Sequence, residues 1–246
     1  MQPFIRFVDV WKKFGENEVY RGLNLDIFKG ETITIIGGSG TGKSVMLKLL
    51  LGLMRVDQGQ IFFDGKDVCQ MNNEQLLAVR KRVGMLFQGA ALFDSLTVKE
   101  NIAYPLREHF DYSEDKISQV VREKLAVVGL PGIEEMMPSD LSGGMKKRIG
   151  LARAIATDAE VVLYDEPTTG LDPTNTNRID DLIVSLQKRF KVTSIVVTHD
   201  MASAFRVSDR LALIYDKKIE YVGSKDEVKN SSNKIVRQFI NGEIGQ

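Results

Sequence analysis

The sequence predicts an α/β fold with a mixed, mainly parallel core sheet and an inserted helical segment. Three short runs are strongly apolar and rich in β-branched residues, as buried strands are: Thr32–Ile36, Val161–Tyr164 and Thr193–Val197. A helical stretch, Pro173 to about Arg189, separates the last two runs, and strand–helix–strand alternation is typical of parallel sheets. Between the sheet-forming parts, Phe93–Ala156 changes to helical character, which indicates an insertion.

The N-terminal part alternates in the way of strands that expose one face to water. Phe4–Val10 and Leu23–Ile27 both alternate apolar and polar residues, the period-two pattern of half-buried strands. Ile61–Phe63 and Val83–Phe87 are further short strand candidates, whereas Val45–Leu51 has helical character. This part of the chain is therefore predicted to hold several strands and one early helix.

Local capping signals predict helix starts in the inserted segment. Thr97 and Glu100 match a capping box, in which a hydroxyl and a carboxylate satisfy free amides at a helix start. Ser113 stands before two acidic residues and predicts a second helix that ends near Val128, ahead of a glycine. Ser142–Ala156 is predicted to be helical as well.

Composition restricts the functions that the chain can have. The 246 residues include 33 basic and 33 acidic side chains, so a general attraction to nucleic acid is not expected. Cys69 is the one cysteine, which excludes an internal disulfide, and we expect it to be buried or half-buried. The N-terminus lacks the pattern of a signal peptide, and no stretch approaches about 18 apolar residues. A role at a membrane would therefore depend on a partner protein.

The strongest motif follows the strand Thr32–Ile36 and opens the next helix. It fits the pattern G-x-x-x-x-G-K-[ST] with eight residues: Gly37, Gly38, Ser39, Gly40, Thr41, Gly42, Lys43 and Ser44. The glycines let the backbone wrap closely around phosphates, and the helix start adds partial positive charge there. Lys43 can then reach the terminal phosphates, and the Ser44 hydroxyl can ligate Mg²⁺. The sequence thus predicts a nucleoside triphosphate site.

Two carboxylates end the apolar strand Val161–Tyr164. Since the carboxyl ends of parallel strands line the ligand crevice, Asp165 is placed to hold magnesium and its waters. Glu166 can orient or deprotonate the attacking water. Alone, the pair could equally be solvated carboxylates at a strand end, but the preceding phosphate motif favours a catalytic role. His199, which follows the strand Ile195–Val197, could hydrogen-bond the terminal phosphate or that water.

A second loop has the composition of an anion site. Ser142, Gly143 and Gly144 stand at a predicted helix start that is followed by several basic residues. The loop could be a simple N-cap, with Ser142 as the cap residue. If it binds phosphate, either the helical insertion folds back over the sheet, or the loop completes the site of a second copy. The latter would give a two-fold dimer with two shared sites.

The order of these motifs resembles that of the ABC transporter ATPase family along the whole chain. In sequence order the matching elements are the phosphate loop 37–44, Phe87-Gln88, Leu141–Met145, Asp165-Glu166, Gly170-Leu171-Asp172 and His199. The resemblance implies a P-loop NTPase fold that binds ATP and Mg²⁺. It also implies a homodimer in which nucleotide lies between two copies arranged head to tail.

The same resemblance implies roles for individual residues. Phe14 would stack on adenine, although Trp11 is a rival for this position and Phe14 could instead be a core or edge aromatic. Gln88 would contact Mg²⁺ or water and signal to the membrane subunit. Glu166 would be the catalytic base, and Asp172 would contact the partner across the dimer.

Within the family, the chain is similar to the ATPases of Mla/Mce-type lipid transporters. The similarity lies in Phe87–Val98, in Leu141–Leu151 with Met145 where glutamine is usual, and in the tail Phe239–Gly242. It implies a peripheral location on the cytoplasmic face of the bacterial inner membrane. The implied partners are two copies of a permease, an Mce-domain lipid-binding protein and a STAS-domain regulator. The implied cargo is phospholipid that moves between the inner and outer membranes.

The predicted organisation has three parts. Residues 1–92 and 157–225 form the nucleotide-binding core with N-terminal antiparallel strands, residues 93–156 form the helical subdomain, and residues 226–246 form a C-terminal helical extension. The position of the second loop within the helical part separates it in sequence from the phosphate loop.

The sequence supports three alternative functions to different degrees. An ABC ATPase for another cargo, such as amino acids or lipoproteins, would carry the same motifs. A soluble ABC protein acting on ribosomes or DNA is disfavoured, because the chain has neither two ATPase units nor an excess of positive charge. A nucleotide sensor that does not hydrolyse is disfavoured by the presence of Lys43, Asp165, Glu166 and His199.

Overall fold

The computed structural model describes residues 2–244, which form two sheets surrounded by helices. The core sheet has six strands, which lie side by side in the order β10 (Lys218–Ser224), β9 (Arg210–Tyr215), β3 (Thr32–Ile36), β8 (Thr193–Val197), β7 (Val161–Asp165) and β6 (Val83–Leu86). Strands β9 to β6 are parallel, and only the edge strand β10 runs antiparallel. The expected mixed, mainly parallel core sheet is therefore confirmed.

The second sheet is antiparallel and is formed by the N-terminal part of the chain. Its four strands lie in the order β2 (Asn17–Ile27), β1 (Ile5–Phe14), β4 (Gln58–Phe63) and β5 (Lys66–Asp67). Strands β1 and β2 are longer than the alternation of apolar residues predicts. Their hairpin pairing continues to Phe14 opposite Asn17, through register shifts that break the strict alternation.

Nine helices lie within residues 2–244. They are α1 (Lys43–Leu50), α2 (Asn73–Lys81), α3 (Val98–His109), α4 (Glu114–Val127), α5 (Gly143–Ala154), α6 (Pro173–Phe190), α7 (Met201–Val207), α8 (Lys225–Lys229) and α9 (Lys234–Ile240). None of them is long and apolar enough to cross a bilayer. The capping box at α3 is confirmed, since the Glu100 amide donates to Thr97 Oγ1 at 3.2 Å and the Thr97 amide donates to Glu100 Oε2 at 2.7 Å.

Strands β3, β7 and β8 are buried along their whole length because helices or strands cover both of their faces. Along β7, Leu163 belongs to the cluster shared with α1 and the antiparallel sheet, whereas Val162 and Tyr164 belong to the cluster shared with α3–α6. Alternate side chains thus serve two separate cores, which is why the alternation seen in half-buried strands is absent here.

The helical insertion packs directly on the core sheet. Helices α3, α4 and α5 lie between β6 and β7 in the chain, and their apolar side chains share one cluster with β7, β8 and α6. At the other end of the sheet, Val236 and Phe239 of α9 pack with Leu211 and Leu213 of β9. The division of the chain into core, helical subdomain and C-terminal extension stays a prediction.

The expectation for the single cysteine was wrong. Cys69 is exposed, in a short 3₁₀ turn, Val68–Gln70, that follows the two-residue strand β5. Its neighbour Val68 supplies the buried apolar side chain at this point, so the turn directs the thiol outwards.

The approach of α5 to β6 requires a glycine in the strand. A Cβ atom on Gly84 would lie 1.9 Å from the carbonyl oxygen of Ala154, far inside van der Waals contact. We predict that Gly84→Ala lowers the free energy of unfolding by about 2–3 kcal/mol, because strand and helix backbones must separate. Urea denaturation measures the loss. In the matched variant Gly89→Ala the new methyl group meets nothing within 4 Å, so a comparable loss there would contradict this explanation.

A buried carboxylate lies between α6 and α7. Asp180 is 2% exposed, its Oδ2 atom lies 3.0 Å from the Ser203 hydroxyl, and its Oδ1 atom has no hydrogen-bond partner. The same hydroxyl lies 3.2 Å from Asp200 Oδ2, and it can donate to only one of the two carboxylates at a time. Burial raises the pKa of Asp180 to about 6, against the opposing effects of the Ser203 hydrogen bond and the Arg206 charge.

This pKa predicts how the stability depends on pH. The folded protein binds the proton of Asp180 more tightly than the unfolded chain, so stability falls as the pH rises from about 4 to 6 and the cost persists above that. Asp180→Asn should therefore raise the Tm more at pH 7.5 than at pH 5.0. Calorimetry at the two pH values measures this difference. The exposed neighbour Asp181, changed to Asn, is the control, and an equal gain at both pH values for Asp180→Asn would argue against a buried charge.

Candidate nucleotide site

Three parallel strands end at the same edge of the core sheet, and their following loops form a cleft. Ile35 of β3 and Asp165 of β7 both pair with Val197 of β8, so the three carboxyl ends are level. The cleft has a volume of about 490 Å³. Nine residues line it: Ser39, Gly40, Gly42, Lys43, Ser44, Val45, Gln88, Glu166 and His199. The structure thus brings together residues that the sequence places far apart.

The phosphate loop connects β3 to α1 in a conformation that depends on its glycines. Gly40 and Gly42 have φ angles of 74° and 95°, in the left-handed region that favours glycine. A Cβ atom on Gly42 would lie 2.3 Å from Val19 Cγ1, and the Tyr20 hydroxyl donates to the Gly42 carbonyl. The antiparallel sheet therefore supports the loop from behind. Because α1 begins at Lys43, its first amides have no intrahelical acceptor and can bind an anion.

Lys43 lies buried at the base of the cleft. Its ammonium group donates to the carbonyl oxygens of Gly37 and Gly38 at 2.9 and 3.0 Å and lies 3.9 Å from Glu166 Oε1. Burial lowers the pKa of Lys43, and the charges of Glu166 and Asp165 oppose this shift. These carboxylates favour the charged ammonium, which is the form that binds phosphate.

The residues expected to bind Mg²⁺ offer oxygen ligands in the right place. The Ser44 hydroxyl donates to Asp165 Oδ1 at 2.7 Å, and Gln88 lines the same cleft. A hydroxyl, a carboxylate and an amide oxygen suit a hard cation such as Mg²⁺. Residues 2–244 contain no cluster of three or more His, Cys, Asp or Glu side chains that could hold a metal without help. The set therefore fits an ion that takes its other ligands from phosphate and water.

Glu166 is held in place from several directions. Its φ angle is 48°, an uncommon value for a residue other than glycine, and its amide donates to the Val197 carbonyl at 2.9 Å. The side-chain Oε2 atom lies 2.9 Å from His199 Nδ1 and accepts from the Thr169 hydroxyl at 3.3 Å. Glu166 and His199 are therefore in direct contact beside the phosphate loop, in the geometry of a base and the group that orients it.

Sequence reasoning overlooked Lys147 as a contact within the site. This residue is 5% exposed, and its ammonium group donates to the backbone carbonyls of Gln88 and Glu166. Burial lowers the pKa of Lys147, and the charges of Asp165 and Glu166 oppose this shift. The sequence shows Lys147 only as one of several basic residues in α5. No local pattern separates this buried lysine from the half-buried Lys146 and Arg148 beside it.

The second glycine loop does not line the cleft of its own chain. Ser142 is the N-cap of α5, and its hydroxyl accepts from the Met145 amide at 3.3 Å. Ser142 and Gly143 are exposed, whereas Gly144 is buried against Asn175 of α6. The simple N-cap is thus present, and the exposed surface of the loop is open to a second molecule.

Two other expected contacts also lie outside the cleft. Phe14 is 46% exposed at the end of β1, while Trp11 is partly buried and donates its Nε1 hydrogen to Asp9 Oδ1 at 3.1 Å. The exposed ring of Phe14 is free to stack on a base, whereas the ring of Trp11 is partly buried and hydrogen-bonded to Asp9. Phe14 therefore stays the predicted adenine contact. Asp172 caps α6, and the hydrogen bonds from Asn175 lower the pKa of Asp172.

Known proteins resemble this chain in sequence and in fold. Residues 20–169, more than half of the chain, match the family described as ABC transporter. The intermembrane phospholipid transport system ATP-binding protein MlaF of Haemophilus influenzae is 43% identical over 98% of this chain and 92% of its own length. A Mycobacterium leprae protein named "Probable ribonucleotide transport ATP-binding protein mkl" is 41% identical over 94% of this chain and 67% of its own length.

A solved structure with a similar fold supports the same family. A dimeric ATP-binding cassette in a post-hydrolysis state, bound to ADP and Pi, has a TM-score of 0.82 and 29% identity, covering 90% of this chain and 98% of that one. The sheet edge, the phosphate loop and the carboxylate beside it define a P-loop nucleotide hydrolase. The chain belongs to the ABC transporter family, as an ATP-binding and ATP-hydrolysing subunit.

Proposed function

We propose that the chain powers a transporter that moves phospholipid between the inner and outer membranes of a bacterium and so maintains the lipid asymmetry of the outer membrane. The observation that carries this proposal is the 43% identity, over 98% of the chain, to the phospholipid transport ATP-binding protein of H. influenzae. By the same resemblance, the subunit would bind peripherally to the cytoplasmic face of the inner membrane. An Mce-domain lipid-binding protein and a STAS-domain regulator would complete the assembly.

The working unit in this proposal is a homodimer with two shared ATP sites. Each ATP would lie between the phosphate loop of one copy and residues Ser142–Gly144 of the other. The exposure of Ser142 and Gly143 supports this arrangement, and so does the dimeric state of the related cassette. Because the bound nucleotide contacts both copies, it stabilises the closed pair over the separated one, and this difference in binding free energy can move a permease.

Hydrolysis follows from the groups that converge on the cleft. Lys43 and the free amides of α1 would hold the triphosphate, with Phe14 stacked on the base. Glu166 would take the proton of the attacking water, and His199, 2.9 Å from its carboxylate, would orient both groups. When bound, Mg²⁺ would be held by Ser44 and Gln88, with Asp165 hydrogen-bonded to the Ser44 hydroxyl, and it would neutralise charge on the phosphates. Loss of the γ-phosphate then weakens the contact between the two copies.

A groove beside Gln88 is the proposed contact with the permease. It has a volume of about 430 Å³ and carries three large exposed aromatic side chains, Phe87, Phe93 and Tyr104. The rings of Phe93 and Tyr104 lie 4.9 Å apart. Large exposed aromatic residues beside a concave surface are typical of protein interfaces. Since Phe87 precedes Gln88 in the chain, a permease bound here would contact the loop that reaches the ATP site.

A ribonucleotide is the second candidate cargo, because the M. leprae relative is 41% identical and carries that substrate class in its name. Motifs in the ATPase do not distinguish the two cargoes, since the cargo contacts the membrane subunits. Phospholipid that copurifies with the intact complex supports the first candidate, and a bound nucleotide other than ATP or ADP supports the second. An amino acid or lipoprotein cargo would contradict both.

Glu166→Gln should bind ATP but hardly hydrolyse it. The substitution keeps the shape of the side chain and removes the base, so kcat should fall by about 10²–10⁴-fold. Size-exclusion chromatography with ATP should then show a stable dimer, because the bridging nucleotide persists. Phosphate release and ATP affinity are measured on the same samples. Exposed Glu135, changed to Gln, controls for the loss of one negative charge, and near-normal turnover of Glu166→Gln would remove Glu166 from the role of base.

Tyr104→Asp should weaken the association with the permease. A carboxylate in the aromatic groove would have to lose water on docking, at a cost of a few kcal/mol. Affinity capture from membranes, with wild type and variant compared at equal load, measures the recovered permease and phospholipid. Tyr112→Asp is the matched control, because Tyr112 is equally exposed but lies outside the groove. Equal recovery by both variants would place the permease elsewhere.

A further inference from the structure

Lys147 connects two loops that carry the reacting groups. It lies in the second turn of α5, where its ammonium group is enclosed by the chain. From there it donates to the carbonyl of Gln88 and, at 3.2 Å, to the carbonyl of Glu166. These same two residues line the ATP cleft. One buried cation therefore holds the backbones of two residues that line the cleft.

Both loops need such support because their backbones are strained. Glu166 has a φ angle of 48°, and Ala90 and Ala91, just after Gln88, have φ angles of 62° and 49°. Each left-handed residue of this kind costs about 1–2 kcal/mol, so it persists only where surrounding contacts impose it. Arg153, on the same helix, donates to the carbonyls of Ala90 and Ala91 at 2.8 and 2.7 Å.

The positive charge of Lys147 suits this place for two reasons. A buried ammonium is expensive unless hydrogen bonds satisfy it, and the two carbonyls provide them. Its charge also faces Asp165 and Glu166, which attract it. A lysine with only a structural role could donate to any pair of carbonyls. Lys147 instead donates to the carbonyls of Gln88 and Glu166, the two residues to which catalytic roles are assigned above.

We propose that Lys147 is a positioning residue for ATP hydrolysis, which sets the Glu166 carboxylate and the Gln88 amide relative to each other. The proposal rests on the catalytic roles of Glu166 and Gln88 described above. Without Lys147 the Glu166 carbonyl keeps only the longer hydrogen bond from the Thr169 amide, at 3.4 Å, so the backbone that sets the direction of the carboxylate is held less firmly. A displacement of about 1 Å at such a group reduces turnover by about 100-fold, while nucleotide binding, which depends mainly on Lys43 and the loop amides, changes little.

The test compares Lys147→Met, which keeps the volume and removes the charge, with Lys147→Arg, which keeps the cation. Lys147→Met should lower kcat at least tenfold and leave the affinity for ATP and the KM within about threefold, a split that reports lost transition-state geometry. Lys147→Arg should keep most of the wild-type turnover, because the cation remains. Exposed Lys116, changed to Met, is the control for removing a positive charge from a nearby helix. Melting temperatures correct each rate for the folded fraction.

Three results would overturn the proposal. One is a kcat of Lys147→Met within twofold of wild type. Another is a parallel loss of kcat and ATP affinity that Lys147→Arg does not repair, which is the signature of a structural residue. If Lys147→Met does not fold, Lys147→Gln replaces it in the comparison. The third result that would overturn the proposal is then a turnover of Lys147→Gln equal to that of Lys147→Arg. Glu166→Gln, measured beside these variants, shows separately whether the role of Glu166 itself fails.

Discussion

The common edge at which β3, β7 and β8 end is the constraint on which the rest of the structure depends. Because Ile35 and Asp165 both pair with Val197, the loops that follow these strands must leave the sheet at one level. Phosphate loop, carboxylates and histidine come from three distant parts of the chain and still enclose one cleft. A shift of one residue in any strand would turn its side chains to the opposite face and disperse the site.

Buried charges of both signs surround this edge. Lys43 and Lys147 are enclosed cations, and Asp165 and Glu166 are the carboxylates that they face. Each ammonium group donates hydrogen bonds to backbone carbonyls of the loops that line the cleft. The buried ammonium groups therefore also stabilise the conformation of those loops. Charge balance and loop geometry are therefore one property of this site, and a change to either alters the other.

Helix α5 links the outer surface of the molecule to the interior. It begins at the exposed Ser142 cap, passes the buried Lys147 in its second turn and ends where Ala154 meets Gly84 of β6. A helix is stiff over this length, so a displacement of its first turn displaces the groups further along. In the proposed dimer that first turn contacts the nucleotide of the partner. The helix therefore joins the contact with a second copy to the backbones of Gln88 and Glu166.

The sequence by itself determined the features that depend on a few neighbouring residues. The phosphate loop after β3, the capping box of Thr97 and the apolar strands with their terminal carboxylates are all local patterns, and the fold they predict is the one observed. Only the tertiary structure decided the contact between Glu166 and His199 and the burial of Lys147, since each joins residues on separate elements. The exposure of Cys69 was misjudged for the same reason. Burial is a property of packing, and packing depends on parts of the chain that no local pattern contains.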